Sequence, residues 1–339
     1  MGQALDSEAQ ALPGRVVITT YGNLVEQIAS QFPPKTVITL PHERVRFDAP
    51  DTFVLLPGVE PVEAALMDSL PQLRLIQKPG VGTESIDVAA ATERGIFVAN
   101  VPSTDTGNAE SVAELVIFHM LALARRFREA EFNLRHRLWG QPEGLSLWGK
   151  TVGIYGLGGV GQAIAKRLRP FDVRLMAIKR QPEPQLADTL GITWLGTPAE
   201  RSQLLQESDF VIIAASANQG VEQPFGAEDF QQMKPTAYLI NVARGAWVEE
   251  SALVQAIQLG QIAGAGLDVF AHEPLDPQSP LIQANLNLTL TPHLGGRTDT
   301  AYAGIAKSVI ENVMRVAQGK SPKNCLNEFI DAANFQPNR

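Results

Sequence analysis

Three stretches in the second half of the chain hold residue types that do acid–base and anion chemistry. "LINVARGAWVEESAL" delivers Arg244 after an apolar run, with Gly245 behind it. "AGAGLDVFAHEPL" reads as a strand ending near Phe270, with Asp268 inside it and Glu273 in a turn stiffened by Pro274. "NLTLTPHLGGRT" exposes His293 after Pro292, and Gly295 and Gly296 leave space around it. A guanidinium at the carboxyl end of a parallel strand matches a substrate carboxylate; the alternative is a structural salt bridge. Histidine exchanges protons near neutral pH, and a carboxylate beside it holds one tautomer. Of the five histidines, His42 sits in a loop after Pro41, and His119 and His136 fall in a long helical segment where a lone histidine is usually structural. His272 would point elsewhere if its turn is extended, which leaves His293 as the acid/base candidate. Together, Arg244, Glu273 and His293 are equipment for reducing a 2-keto acid with a nicotinamide hydride, provided the fold brings them together.

A hydride donor needs a site, and "TVGIYGLGGVGQAIAKRL" offers one. A strand runs into Gly156-Leu157-Gly158-Gly159-Val160-Gly161 and then an amphipathic helix. The first glycine permits a tight turn, the second lets backbone approach a pyrophosphate, and the third lets helix and strand pack closely. The helix start would present free N–H groups and a positive dipole end to the phosphates. About 20 residues on, where an acid often meets the ribose 2′-hydroxyl of NAD, the chain reads Lys179-Arg180. Cations suit the 2′-phosphate of NADP, so the pair points to NADP rather than NAD. The alternative is a solvated pair of charges at a strand end.

These residues need elements to carry them. "RVVITT", "KTVITL", "DTFVLLPG", "LRLIQKPG" and "GIFVAN" are short apolar runs separated by helical stretches such as "YGNLVEQIASQF" and "SIDVAAATERG". That rhythm predicts a parallel sheet with helices on its faces. A helical segment without Pro or Gly, from Ala109 to Arg137, follows, and its apolar first half predicts burial or a subunit contact. The rhythm then restarts with "KTVGIYG", "VRLMAI", "DFVIIAAS", "AYLINVA", "AGAGLDVF" and "LNLTLTP", and a last helix, "TAYAGIAKSVIENVMRVAQG", follows. The 339 residues predict about two domains. A formal charge of -8 with no long basic run argues against a nucleic-acid surface. One cysteine, Cys325, excludes a disulfide within the chain and argues against a Cys-based metal site, so no metal is expected. No stretch has the length of a membrane span, and the start lacks a secretory pattern, so the expected location is the cytoplasm.

With these residues in hand, the chain resembles the D-isomer-specific 2-hydroxyacid dehydrogenases. That family includes glyoxylate and hydroxypyruvate reductases, phosphoglycerate, lactate, formate and phosphite dehydrogenases, and some transcriptional corepressors. The match runs from about Val54 to Val316, with "KPGVGTESID", "NAESVAELVI", "GIYGLGGVGQAIA", "NVARGAWVEESAL", "GAGLDVFAHEPL" and "LTPHLGG" in the family order. The resemblance implies two Rossmann-like or flavodoxin-like, doubly wound parallel-sheet domains with the active site in the cleft between them. It implies a discontinuous substrate domain, residues 14–108 plus 300–330, around an inserted dinucleotide domain, residues 109–299. Residues 1–13 and 331–339 are expected to be loose tails. It implies catalysis by Arg244, Glu273 and His293, and a carboxylate cradle at Gly80, Val81 and Gly82. Ala243 and Asp268 join the glycine loop, Lys179 and Arg180 as expected cofactor-site residues. It also implies a homodimer through the long helix and the loop after it, where Trp139 would wall a partner's pocket.

The implied activity is reduction of a small 2-keto acid of the glyoxylate or hydroxypyruvate type to the D-2-hydroxy acid, with NADP preferred to NAD. Lys78, before the cradle, either reaches an anionic substrate or is a solvated strand-end lysine. Two departures touch the cofactor side. Ala214-Ala215-Ser216 stands where many members have a His and a Pro, and Trp247 stands where small aliphatic residues are common. Lys78 and Trp139 keep a dehydrogenase of an unusual anion such as phosphite as one alternative. A dinucleotide-sensing, corepressor-like interaction protein is the other.

Overall fold

The computed structural model describes residues 12–19, 23–217, 221, 223–284 and 286–327. All of the expected tail 331–339, and all but residues 12 and 13 of the tail 1–13, lie outside the described residues. The chain forms two compact units, one from residues 1–107 with 299–339, the other from residues 108–298.

The first unit runs β1 (Arg15–Ile18), α1 (Asn23–Ala29), β2 (Val37–Thr39), α2 (Val45–Asp48), β3 (Thr52–Leu56), α3 (Ala64–Asp68), β4 (Leu75–Gln77), α4 (Val88–Glu93) and β5 (Phe97–Ala99). Its five strands pair in parallel in the order β2-β1-β3-β4-β5. Strands buried on both faces need no alternation of polar and apolar residues, and β3 is buried at all five positions. Val16, Ile18, Val54 and Leu75 build the core on one face, and Val17, Leu55 and Ile76 build the other.

The second unit opens with α5 (Asn108–Ala124) and α6 (Phe127–Arg135). It continues β6 (Thr151–Tyr155), α7 (Gly159–Leu168), β7 (Arg174–Ile178), α8 (Pro184–Leu190), β8 (Ile192–Gly196), α9 (Arg201–Glu207) and β9 (Phe210–Ile213). Then come α10 (Ala227–Gln232), β10 (Tyr238–Asn241), α11 (Glu250–Gln258), β11 (Gly264–Leu267), α12 (Pro280–Gln283) and β12 (Leu288–Leu290). The seven strands are all parallel, in the order β12-β11-β10-β9-β6-β7-β8. The last helix, α13 (Asp299–Ala317), returns to the first unit, where Ile305, Val309 and Val313 join the core of Val16 and Leu75. Beyond it the chain covers the β5 edge: Cys325 bridges Ala99 antiparallel, and the Asn327 side-chain Oδ1 accepts from Val98 N–H at 2.9 Å.

Three expectations need correction. The segment from Ala109 to Arg137 is two helices, broken where Arg126 takes a left-handed φ of 49°. The carbonyl of Ala124 accepts from Leu145 N–H at 2.7 Å, so the returning chain rather than a further helical turn satisfies it. β8 was absent from the expected strands; it is an edge strand, only part-buried, so its "ITWLG" lacks a fully apolar run. β11 ends at Leu267 rather than near Phe270, which puts Asp268 just past the strand. Among the described residues no helix is long and apolar enough to cross a membrane, and no group of three or more His, Cys, Asp or Glu could hold a metal ion.

Candidate active site

The order of the second sheet reverses beside β6: β7 and β8 lie on one side and β9 to β12 on the other. A crevice at the carboxyl ends of strands at such a reversal is where parallel sheets bind ligands. The glycine loop leaves β6 at that point. Gly156 has φ +106°, and a Cβ there would lie 2.5 Å from Ala215 N, so the turn and the loop after β9 both demand glycine. A Cβ on Gly161 would lie 2.1 Å from Gly156 O, which is the close helix–strand approach expected of the third glycine. Around Gly158 there is no atom within 4 Å of an added Cβ. Gly158 caps α7 without a side chain, and its carbonyl accepts the first intrahelical bond from Gln162 N–H, which leaves the amides of residues 159–161 for an anion. An open backbone cradle at a helix start fits a pyrophosphate.

Lys179 and Arg180 follow β7 directly. Lys179 Nζ pairs with Glu183 Oε1 at 2.6 Å, while Arg180 is exposed. Burial raises the Tyr155 hydroxyl pKa, and Arg201 and then Arg180 partly oppose the shift, so the Arg180 charge lies near the end of β6. Trp247 is buried: it meets Tyr155 edge-on at 5.4 Å, and its indole N–H donates to Ala215 O at 3.1 Å. The Ala214-Ala215 departure is thus held by Trp247, the other departure. Leu157 and Ala243 are buried, and Val160 is part-buried.

Arg244, Glu273 and His293 follow the carboxyl ends of three adjacent strands, β10, β11 and β12. The Asn241 side chain shapes the first loop, accepting from Ala243 N–H at 3.1 Å and donating to Arg244 O at 2.8 Å. A Cβ on Gly245 would lie 1.9 Å from Phe270 C and O, so the Arg244 loop and the Glu273 loop press together through that glycine. Glu273 Oε1 accepts from Phe270 N–H at 3.0 Å, and Glu250 Oε1 fixes Ala271 N–H at 2.7 Å. Glu273 Oε2 meets His293 Nδ1 at 2.7 Å. Half-burial alone would push the Glu273 carboxyl up; the His293 hydrogen bond and charge, Phe270 N–H and Arg244 outweigh it and hold the carboxyl below its usual value. An ionised carboxylate only accepts, so Nδ1 carries a proton and Nε2 is left to face a reactant. The His293 side chain is 47% exposed, enough to be reached. His272 makes none of these contacts.

Asp268 is 2% exposed, and its carboxylate holds the His293 loop: Oδ1 accepts from Thr291 Oγ1 at 2.6 Å and Leu294 N–H at 2.7 Å, and Oδ2 from Gly295 N–H at 2.9 Å. Asn241, Glu250 and Thr291 escaped the sequence reading; "NVARG" and "LTPH" place Asn241 and Thr291 beside predicted site residues, which was the available signal. In the first unit, the carbonyls of Gly80 and Val81 are taken by Val101 N–H and the Asn100 amide. Among the described residues, the amides of 80–82 donate to no protein acceptor, and an added Cβ on Gly80 would meet nothing within 4 Å. Lys78 Nζ reaches the carbonyl of Gly58.

Comparison with known proteins points to one family. The family described as D-isomer specific 2-hydroxyacid dehydrogenase, NAD binding domain, matches residues 117–295. A glyoxylate reductase of Thermococcus litoralis is 36% identical over 308 residues, which cover 88% of each chain. The chain belongs to the D-isomer specific 2-hydroxyacid dehydrogenase family. A second relative of this dehydrogenase, a glyoxylate/hydroxypyruvate reductase B of Shigella boydii, is 35% identical over 282 residues, 81% of this chain and 85% of that one. An NADPH-dependent glyoxylate/hydroxypyruvate reductase of Sinorhizobium meliloti, solved with NADP and malonate, superposes with a TM-score of 0.79 at 28% identity and covers 96% of this chain and 99% of that one. The dehydrogenase uses a nicotinamide dinucleotide, and its substrate class, a small 2-keto or 2-hydroxy acid, is anionic.

Proposed function

We propose that this dehydrogenase reduces glyoxylate, hydroxypyruvate or a similarly small 2-keto acid to the D-2-hydroxy acid, with NADPH preferred to NADH. The observation that carries the reading is the 2.7 Å pair of His293 Nδ1 and Glu273 Oε2, with the Arg244 charge acting on the same carboxylate. Arg244 binds the substrate carboxylate and polarises the carbonyl. When bound, the nicotinamide supplies a hydride to C2. His293 Nε2 gives its proton to the carbonyl oxygen as charge develops there, and Glu273 stabilises the ring while it is charged. In the reverse direction Nε2 takes the proton back.

The cofactor preference rests on Lys179 and Arg180, with no acid at the ribose position and a nearby carboxylate, Glu183, paired to Lys179. The S. meliloti relative carries NADP in its structure. The working unit is a homodimer in the cytoplasm. The dimer rests on apolar side chains exposed along α5, α6 and the following loop, among them Phe118, Phe132, Leu134, Trp139 and Trp148. The test is His293→Asn: dinucleotide affinity stays, and glyoxylate reduction falls roughly 10²- to 10⁴-fold. Wild-type turnover in that variant would refute the reading.

A further inference from the structure

His119 was read from the sequence as a structural histidine of a long helix. It is fully buried, yet both its ring nitrogens are engaged. Nδ1 lies 2.7 Å from Thr289 Oγ1 and Nε2 lies 3.2 Å from Thr291 Oγ1. The ring sits over β11 at a glycine: a Cβ on Gly266 would come within 2.9 Å of His119 Cβ and Cγ.

The hydrogen-bond directions can be assigned. Thr291 has one hydroxyl proton, and it goes to Asp268 Oδ1 at 2.6 Å. The Thr291 oxygen can therefore only accept from the ring, so Nε2 carries the ring proton. Nδ1 then accepts from the Thr289 hydroxyl. Burial pushes the His119 pKa down to about 4, which keeps this one-donor, one-acceptor pattern fixed near neutral pH.

The chain of bonds ends at the reacting group. Asp268 accepts from Leu294 and Gly295 N–H, and its own carbonyl accepts from His293 N–H at 2.8 Å. His293 itself has φ +55°, a left-handed backbone that side-chain-bearing residues adopt uncommonly and that the bond to the Asp268 carbonyl helps to hold. Glu273 orients the His293 ring; Asp268 orients its backbone, and Thr291 orients Asp268.

We propose that His119 is a positioning residue for His293, acting through Thr291 and Asp268. The inference rests on the proposed role of His293 as proton donor. The Thr291 arm, from Nε2, carries the effect. The Thr289 arm, from Nδ1, only fills the core.

Two conservative variants separate the arms, because a glutamine amide nitrogen reaches the place of Nε2 and an asparagine amide reaches only the place of Nδ1. NADPH affinity, KM for glyoxylate and kcat are measured for His119→Gln, His119→Asn, Thr289→Val and Thr291→Val, beside His293→Asn, each checked for folding. The expected result is a kcat loss of roughly ten- to a hundredfold in His119→Asn and Thr291→Val, the scale of a reacting group slightly misplaced. NADPH affinity stays near wild type, and His119→Gln and Thr289→Val keep most of the rate. Equal kcat in the Gln and Asn variants, or wild-type kcat in folded Thr291→Val, would overturn the inference while leaving the His293 reading intact. Wild-type turnover in His293→Asn would overturn both.

Discussion

The buried imidazole of His119 makes the dinucleotide-binding unit acid-sensitive. Its pKa is ordinarily 6.5 and is pushed down to about 4 by burial alone. A depressed folded-state pKa means that the unfolded chain binds the proton first. The stability contribution is therefore complete above about pH 6.5 and is lost progressively as pH falls through the folded value. Each pKa unit corresponds to about 1.4 kcal/mol, so the full loss is about 3 kcal/mol, and about 2 kcal/mol of it falls between pH 7 and pH 5. His119→Gln removes this titration and leaves the other acid-sensitive groups in place, so the difference between wild type and variant isolates it. The assay is urea unfolding followed by tryptophan emission. All four tryptophans, Trp139, Trp148, Trp194 and Trp247, lie in residues 108–298, so the signal reports that unit. Wild type should lose about 2 kcal/mol relative to His119→Gln between pH 7 and pH 5. Parallel stability curves for the two proteins over that range would refute the argument.

Three more perturbations follow from the same contacts. Gly245→Ala drives a methyl into the Phe270 backbone, where a Cβ has 1.9 Å of room; unfolding should show a loss of about 2 kcal/mol or more, with kcat falling because the Arg244 and Glu273 loops separate. Gly158→Ala meets no protein atom, so calorimetric titration should show NADPH affinity weakened at least about tenfold while apo stability stays within about 1 kcal/mol. Glu273→Gln keeps the shape and removes the charge, and kcat should fall roughly a hundredfold. Because the Glu273 carboxyl is held below its usual value, its contribution to wild-type stability is present above about pH 4.5 and is lost as pH falls through the lower folded value; the Gln variant should lack that acid limb in a stability–pH profile.

The strands of both sheets were legible because each is a short apolar run between turn residues, and the glycine loop because three glycines have separate steric duties. Legibility failed where local pattern and tertiary contact part. β8 hides because an edge strand can alternate buried and exposed residues. The break at Arg126 hides because Ala-Arg-Arg-Phe suits a helix, and only the returning Leu145 amide gives Ala124 another partner. Glu273 and His293 could each be named from their turns, yet their contact joins residues 20 apart through neighbouring strands. His119 was set aside because a lone histidine in an apolar helix carries no signal of its own; its meaning comes from Thr289 and Thr291, some 170 residues away.

The central claim is that this chain reduces a small 2-keto acid with NADPH. The direct measurement is the loss of reduced-nicotinamide absorbance when purified protein meets glyoxylate, with NADPH and NADH compared at matched concentrations, in wild type and Arg180→Asp. The account predicts turnover that favours NADPH and loses that preference in the variant. Turnover with NADH alone, unchanged by Arg180→Asp, would contradict the cofactor assignment, and no turnover with either dinucleotide despite tight binding would contradict the reductase itself.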